Sequence, residues 1–279
     1  MYVNGVSTRK VKRITEELCG TLISSTQVSR ATALLDDEIS AWRNRRLEAC
    51  RYLVVDARYE KVRIGGSVVG TAVLIAMGVR EDGKRSTHGV SVATSVAEVH
   101  WCVFLESLTT RGLRGVQMIT SDDHPGIKAA VNAVFPGIAW QRCQFHMQRN
   151  AQNYVSKVSM RSTVAEGLRA IFNAPTESDA SQLIESAVAK YEADEPKFTT
   201  WLDKNVREGL TVLSVPAAHR RRLRTSNSVE RLSREIKRRA RVASLFPNED
   251  ALLRLVTALA IEVSEDWEAG RAYLTMGAR

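Results

Sequence analysis

Three carboxylates in this sequence stand where they could bind metal ions. Asp56 follows the apolar run Tyr-Leu-Val-Val, Asp122 follows Met-Ile-Thr-Ser, and Glu230 lies near the start of a basic segment. Carboxylate oxygens bind Mg²⁺ and Mn²⁺ well. Two such ions held close together activate an attacking oxygen and stabilise a leaving one at a phosphate. The acids therefore predict phosphoryl chemistry that depends on two Mg²⁺ or Mn²⁺ ions.

Positive charge is concentrated around the third carboxylate. The chain has 279 residues and a formal net charge of +9, and residues 220–241 contain ten basic residues and two acidic ones. Such a cluster is typical of polyphosphate binding, although a solvated helix face is the alternative for a charge run alone. Double-stranded DNA is the expected partner. The predicted phosphate contacts are Arg58, Lys61, Arg63, Arg231, Arg234, Lys237, Arg238 and Arg241.

Composition excludes several other classes of protein. The longest apolar runs are broken by glycine and are too short to span a bilayer. The first residues carry no apolar signal-peptide core. The four cysteines are scattered, which fits reduced thiols better than a disulfide framework. These features predict a cytoplasmic protein with no membrane segment.

Residues 1–50 have helical periodicity. Ser7 can cap a first helix that ends at Gly20, and Ser24 or Ser25 can cap a second. A helix, a short turn and a helix form the outline of a helix-turn-helix, and the exposed start of the second helix would then read DNA bases. A packing or dimerisation arm fits the same pattern.

From residue 51 the hydrophobic period changes to that of strands. The sequence predicts strands over 52–59, 71–79, 89–94, 116–120 and 138–142, with helices before the last two. Three meandering strands followed by a βαβαβ unit give an α/β fold with a mixed five-stranded sheet and flanking helices. Residues 144–224 have only helical patterns and separate the second acid from the third.

The first two acids are expected at the C-terminal ends of neighbouring strands, where α/β sheets place their ligand sites. Either Asp56 or Asp122 alone could simply start a turn. Together, two unpaired carboxylates repel each other unless a cation lies between them. Asp123 is an alternative ligand, although strand alternation would turn its side chain away from that of Asp122.

The third acid has a structural alternative. Asn227-Ser-Val-Glu230 can form a capping box with Glu230 at the third helical position. On a helical wheel, Glu230 lies at the edge of a buried stripe, on the same side as several cations. The members of that stripe are Val229, Leu232, Ile236 and Ala240. This placement favours a metal ligand beside a DNA backbone.

Other candidate side chains are less specific. Cys143 and His146 have the C-x2-H spacing of half a zinc site, but the sequence has no second pair to complete it. They are expected beside the active site or in the packing of a strand–helix junction. His124 and His219 are equally compatible with hydrogen bonding, contact with DNA and catalysis.

Four stretches resemble the motifs of Mutator-type bacterial transposases, the IS256 group. They are Tyr52-Leu-Val-Val-Asp56, Ser121-Asp122-Asp-His124-Pro-Gly126, Trp140-Gln-Arg-Cys143-Gln-Phe-His146 and Asn227-Ser-Val-Glu230-Arg-Leu-Ser-Arg. The resemblance runs from about Gly5 to the end of the chain. Family members usually have a small residue at the position of Asp123. They also carry further N-terminal sequence, so the resemblance implies an N-terminally truncated chain.

The resemblance implies a DDE transposase with a ribonuclease-H-like core, a catalytic triad of Asp56, Asp122 and Glu230, and a C-x2-H motif at Cys143 and His146. Its substrates would be the element's terminal inverted repeats and target DNA, and a homodimer or larger homo-oligomer is expected. The alternatives are a non-catalytic DNA-binding relic that regulates a full-length transposase and a stand-alone nuclease. The expected divisions are 1–50 (helix-turn-helix-like segment), 51–143 (core, first part), 144–224 (helical insertion) and 225–279 (final helices).

Overall fold

The computed structural model of the chain describes residues 24–243 and 245–277. The strands are β1 (Cys50–Ile64), β2 (Ser67–Arg80), β3 (Arg85–Ala93), β4 (Met118–Ser121) and β5 (Ala139–Arg142). The helices are α1 (Ser25–Asn44), α2 (Glu98–Thr110), α3 (Pro125–Val134), α4 (Gln144–Ala151), α5 (Arg161–Phe172), α6 (Glu177–Tyr191), α7 (Pro196–Asn205), α8 (Ala217–Leu223), α9 (Asn227–Ala243) and α10 (Glu249–Ala269). Within these described ranges, no helix is long and apolar enough to cross a membrane.

The five strands form one mixed sheet in the order β3-β2-β1-β4-β5. The first three strands form an antiparallel meander, and β4 and β5 run parallel to β1. Helices α2 and α3 make the crossovers that parallel neighbours require. This confirms the predicted mixed five-stranded sheet with flanking helices.

The expectation that Asp56 ends its strand is wrong. Strand β1 continues to Ile64 and stays paired with β2 as far as Ser67, around a turn in which Gly65 and Gly66 have positive φ. The pairing of β1 with β4 covers a much shorter stretch that ends at Val54. Asp56 therefore lies in the middle of a long strand, at the level where the parallel neighbour has ended.

Both faces of the sheet are covered by helices, because side chains along β1 alternate between two buried clusters. Tyr52 and Val54 pack with residues of α9 and α10, such as Leu232 and Leu255. Leu53 and its same-face neighbours pack with residues of α2 and α3. The sheet is thus buried on both sides, as its nearly continuous apolar strands predict.

Residues 144–214 contain only helices and connecting turns, which confirms the predicted helical character of this segment. Their helices share a hydrophobic cluster of their own, which includes Met147, Leu168, Ile184 and Trp201. Residues of the sheet do not belong to this cluster among the residues that the structure describes. The region can therefore hold its shape through its own apolar contacts.

Helix α1 begins as the sequence predicts. Ser24 and Gln27 form a capping box at its start, and an ion pair between Asp36 and Arg254 joins it to α10. Ile39 is buried against the body of the protein. The first predicted helix lies outside the described residues, so the helix-turn-helix remains a prediction.

Candidate functional site

The fold brings the first two acids side by side. Strands β1 and β4 are parallel, with Val54 beside Thr120. Counting two residues further along each chain places Asp56 next to Asp122. Asp56 has the same strand parity as Val54, so its side chain lies on the sheet face that α9 covers.

The pair concentrates negative charge where water is scarce. Burial, and after it the neighbouring charge of Asp122, together raise the pKa of Asp56 to about 6. The Oδ1 atom of Asp122 is buried and has no hydrogen-bond partner among the described residues. A buried polar atom without a partner destabilises the fold, so the pair favours a cation.

His146 and Cys143 lie beside this acid pair. The imidazole of His146 opposes the rise in the pKa of Asp56. Hydrogen bonding to Cys143 raises the pKa of His146, and the charges of Asp56 and Asp122 add to that effect. Burial acts to raise the pKa of the Cys143 thiol, but interactions with His146 and Ser226 outweigh it and lower that pKa. The structure places the C-x2-H pair next to the two acids, and its role at an active site stays a prediction.

Cys143 also joins three segments of backbone. Its amide donates to the carbonyl of Ser121, the residue before Asp122, at 2.7 Å. Its sulfur accepts from the amide of Ser226 at 3.3 Å and from the Ser226 hydroxyl at 3.4 Å. Ser226 immediately precedes α9, which carries Glu230. The junction therefore ties the segment of the second acid to the helix of the third.

Glu230 lies in the first turn of α9, and its side chain is exposed. The helix packs its apolar stripe on the sheet as predicted. The buried members of that stripe are Val229, Leu232, Ile236 and Ala240. Helix α9 begins at Asn227, so Glu230 is its fourth residue. A capping box would require Glu230 to be the third residue of the helix.

The structure does not bring all three acids into one compact cluster. Among the described residues, no group of three or more His, Cys, Asp or Glu side chains has the arrangement of a metal site. Asp56 and Asp122 fit a divalent cation by their donor atoms, their mutual repulsion and the unpartnered Oδ1. Glu230 lies on the helix that covers the same face, outside contact with the pair.

Asp123 has a different partner. Its carboxylate forms an ion pair with Nη2 of Arg142 at 2.6 Å. Arg142 is only 2% exposed, and its other terminal nitrogen contacts Glu208 at 3.2 Å and Asn205 at 3.0 Å. This network occupies Asp123 and favours Asp122 as the ligand. No local pattern in the sequence indicates this network, because Arg142 lies 63 residues from Asn205 and 66 residues from Glu208 along the chain.

The two predicted histidines have structural contacts. Nδ1 of His124 accepts from the amide of Gly126 at 3.1 Å and so caps α3. His219 is buried, and its Nε2 lies 3.0 Å from the carbonyl of Thr275, to which it donates. Its Nδ1 is then the acceptor for the hydroxyl of Tyr52, also at 3.0 Å. These contacts account for both side chains without a catalytic role.

The predicted phosphate-binding residues fall into two groups. Some already have protein partners. Arg58 bonds to Glu60 and to the carbonyl of Ser233, Arg231 pairs with Asp266, and Arg238 pairs with Glu235. Arg63 is exposed and donates to the carbonyl of Gly66 at 3.3 Å. Lys61, Arg234, Lys237 and Arg241 are also exposed.

Within the first group, the partners differ in burial. Arg231 and Asp266 are both about half exposed, so a phosphate could replace the carboxylate with little loss. Arg58 is partly buried, and its hydrogen bond to the carbonyl of Ser233 joins β1 to α9, so its role is structural. In the described part of the chain, the side chains of Arg234 and Lys237 make no hydrogen bond or ion pair, so they are ready for an anion.

Arg220 belongs to the basic segment but has a structural role. Its guanidinium donates to the backbone carbonyls of Val215, Leu213 and Pro175 at 2.7–3.1 Å. The high positive charge of residues 220–241 is therefore only partly available at the surface.

Comparison with known proteins agrees with this arrangement. The family described as Transposase, Mutator family, matches residues 1–270. The chain is 52% identical over 276 residues to the transposase for insertion sequence element IS406 of Burkholderia multivorans, covering 98% of this chain and 71% of that protein.

Two further relatives are also described as transposases for insertion sequence elements. Identity is 41% to the transposase for ISRM5 of Rhizobium meliloti, covering 99% of this chain and 69% of that protein. It is 34% to the transposase for IS256 in transposon Tn4001 of Staphylococcus aureus, covering 96% of this chain and 69% of that protein. With a family match that spans nearly the whole chain and an acid pair at the expected strands, this protein belongs to the Mutator family of transposases, together with the IS256 transposase.

Proposed function

We propose that the chain cleaves DNA strands at the ends of an insertion element and joins the freed 3′ ends to target DNA. The observation that carries this proposal is the partly buried Asp56–Asp122 pair, in which Asp56 has a raised pKa and Asp122 a buried oxygen without a partner. Buried like charges are retained when they bind a cation or a proton. In a transposase, a divalent cation at this position serves phosphoryl transfer.

The residues that would hold Mg²⁺ or Mn²⁺ are Asp56, Asp122 and Glu230. Two such ions, when bound, supply an activated attacking oxygen and neutralise charge at the scissile phosphate. Asp56 and Asp122 are fixed by the backbone of adjacent strands, so they present their oxygens with little freedom. Glu230 needs a shift of its side chain or of the start of α9 to join them. Substrate DNA along α9 is the agent we propose for that shift.

The DNA backbone is proposed to lie along the exposed side of α9. Arg234 and Lys237 are three residues apart and therefore share a helix face with Glu230. Arg231 and Arg238 flank them in exposed ion pairs that a phosphate can replace. Arginine and lysine on one face bind phosphates without reading sequence.

We also infer a ribonuclease-H-like core. The strand order β3-β2-β1-β4-β5, with an antiparallel meander followed by two parallel strands, supports this assignment. The insertion between β5 and α9, and the position of Asp56 on β1 with Asp122 directly after β4, are in line with it. Assembly into a homo-oligomer on the two element ends belongs to the same proposal.

The test is strand cleavage and strand joining by the purified chain in Mg²⁺, on duplexes that carry the inverted repeats flanking its reading frame. Asp56→Asn, Asp122→Asn and Glu230→Gln should each lower the cleavage rate on the order of a thousandfold, which is about 4 kcal/mol in barrier height. DNA binding should persist, because each change removes a negative charge. Glu185→Gln, an exposed acid on α6, is the matched control.

Each result has a separate meaning. If one substitution leaves the rate near that of the wild type, that residue is not a ligand. Cleavage without joining would indicate a simple nuclease and not a transposase.

A non-catalytic DNA-binding protein is the second candidate function. The exposed position of Glu230, away from the acid pair, favours it. In that case the wild type would bind the element ends with salt-dependent affinity and yet show no cleavage in Mg²⁺ or Mn²⁺.

A further inference from the structure

We propose that a recess on the helical region binds an unpaired nucleotide of the DNA strand; this rests on the proposed function, because it takes DNA as the substrate. The recess has a volume of about 540 Å³. That volume lies within the usual range for pockets that hold small ligands, about 300–1,000 Å³. Its walls are Tyr154, Pro196, Lys197, Thr200, Trp201 and Lys204.

One wall of the recess is a fixed aromatic stack. The rings of Tyr154 and Trp201 lie 5.5 Å apart at 24°, and Trp201 stacks in turn on Phe198 at 6.3 Å and 24°. Trp201 is buried, whereas Tyr154 is 43% exposed. An aromatic ring held from behind and open in front is a platform on which any nucleobase can stack.

The rim of the recess carries positive charge. Lys197 and Lys204 lie on α7, four residues before and three residues after Trp201, so all three share one helix face. Both lysines are exposed, and in the described part of the chain neither side chain makes a hydrogen bond or ion pair. None of the described residues that line the recess is acidic. An aromatic wall with unpaired cations at its rim suits a base and its phosphate.

A chain of contacts connects the recess to the acid pair. Asn205 also lines the recess, and its Oδ1 accepts from Arg142 at 3.0 Å. Arg142 pairs with Asp123, the neighbour of Asp122. Because Arg142 is buried, these contacts hold the recess in a set position relative to the strands that carry the acids.

The distance from Cys143, which lies beside the acid pair, to Tyr154 in the recess also suits a DNA strand. Helix α4 begins directly after Cys143, and Tyr154 follows at its end in the turn Gln152–Tyr154. At about 1.5 Å per helical residue this separation is roughly 16 Å. The rise along duplex DNA is about 3.4 Å per nucleotide, so this separation corresponds to about five nucleotides of the duplex. A nucleotide displaced from the duplex near the cleaved phosphate can therefore reach the recess.

The experiment compares two DNA ligands with the full chain in the absence of metal, so that binding is separated from cleavage. One ligand is a fluorescent duplex with a single unpaired thymidine, and the other is the same duplex fully paired. Fluorescence anisotropy should show about tenfold tighter binding of the first. Replacing the thymidine by 5-iododeoxyuridine should give a photo-crosslink at Tyr154 or Trp201, located by mass spectrometry.

The variants separate the aromatic wall from general charge. Thr200→Trp fills the recess from the surface of α7. Tyr154→Ala and Thr200→Trp should each reduce the tenfold preference for the duplex with the unpaired thymidine to less than twofold. Tyr154→Phe should retain it, and Lys190→Ala, which removes a charge on α6 outside the recess, should also retain it. Lys204→Ala should weaken binding of the unpaired duplex more than of the paired one. Because Thr200→Trp adds an exposed side chain, it tests the recess even if Tyr154→Ala unfolds.

Two outcomes would overturn the assignment. One is a wild type that binds both duplexes equally, and the other is a preference that persists in Thr200→Trp. Failure here leaves the proposed function intact if the paired substrate is still cleaved in Mg²⁺. Conversely, a preference for the unpaired base that depends on Tyr154, without any cleavage, would support the recess and overturn the proposed function.

Discussion

The acid pair and the cationic face of α9 carry opposite charges and are built in opposite ways. Asp56 and Asp122 are held by the backbones of adjacent strands, and the Oδ1 of Asp122 is buried without a partner. Arg234 and Lys237 lie on one exposed helix face at the ends of long, flexible side chains. Both regions present charge that the protein itself leaves uncompensated.

The difference lies in what each arrangement does to the free energy of unfolding. Buried charge of one sign lowers stability until a ligand of the other sign arrives. Exposed charge hardly affects stability, since water screens it. The free energy of unfolding therefore depends on cation binding at the acid pair. The basic face, in contrast, only makes the affinity for DNA depend on the salt concentration. Three predictions probe this contrast, from the largest effect to the smallest.

The largest effect on the free energy of unfolding is expected when the buried cation of an ion-pair network is removed. Arg142→Ala should lower the free energy of unfolding by about 3–4 kcal/mol, because it leaves the carboxylates of Asp123 and Glu208 without their shared cation. Arg234→Ala, the same substitution on the exposed face, should change it by less than about 0.5 kcal/mol. Urea denaturation followed by circular dichroism measures both. If both variants lose the same free energy of unfolding, the proposed difference between buried and exposed charges is wrong.

Asp56→Asn should stabilise the metal-free chain. Burial and Asp122 raise the pKa of Asp56 from 3.8 to about 6. Below pH 4 the carboxyl is protonated in the folded and unfolded states. Between pH 4 and 6 the unfolded state loses the proton first, so stability falls as the pH rises. Above pH 6 the folded state carries the full penalty, which is about 2–3 kcal/mol from a shift of roughly two pKa units.

Thermal unfolding of wild type and Asp56→Asn at pH 7.5 and at pH 4 measures this penalty. The variant should unfold at a higher temperature at pH 7.5, and the gap should close at pH 4. Mg²⁺ should raise the unfolding temperature of the wild type more than that of the variant. Glu265→Gln, an exposed acid on α10, should follow the wild type at both pH values. A variant less stable than the wild type at pH 7.5 would show that other groups already neutralise Asp56.

The smallest effect on stability, and a clear one on DNA affinity, is expected on α9. Arg234→Ala combined with Lys237→Ala should reduce the slope of log affinity against log salt by about two, since each phosphate contact contributes roughly 0.9. The matched control is Arg169→Ala with Lys190→Ala, which removes two exposed cations from α5 and α6. Binding measured across a salt series gives both slopes. If the two double variants have the same slope, the face of α9 is merely solvated.

Much of the fold follows from local patterns in the sequence. The change of hydrophobic period at residue 51, the mixed five-stranded sheet and the buried stripe of α9 are confirmed. Strand bounds were less accurate, because β1 and β2 extend as a long hairpin whose outer part carries polar residues. The pairing of two backbones can prolong a strand beyond its apolar run, and that pairing is not visible in the local pattern.

The site was predictable in part for the same reason. Apolar runs that end on Asp56 and Asp122 predicted two adjacent acids, and parallel pairing brings them together. The contacts of Arg142 with Glu208, and of Cys143 with Ser226, depend on segments far apart in the chain. Such contacts arise only when separate elements pack, so spacing alone does not reveal them.

Local patterns in the sequence are enough to indicate the family, the class of fold and two carboxylates borne by neighbouring strands or their ends. Only the tertiary structure decided which charges have partners. It pairs Asp123 with Arg142, uses Arg58 and Arg220 as internal ties, and leaves Asp122 Oδ1 unpartnered. The physical reason is that periodicity and charge are properties of neighbouring residues, whereas desolvation and ion pairing depend on which distant surfaces are packed together.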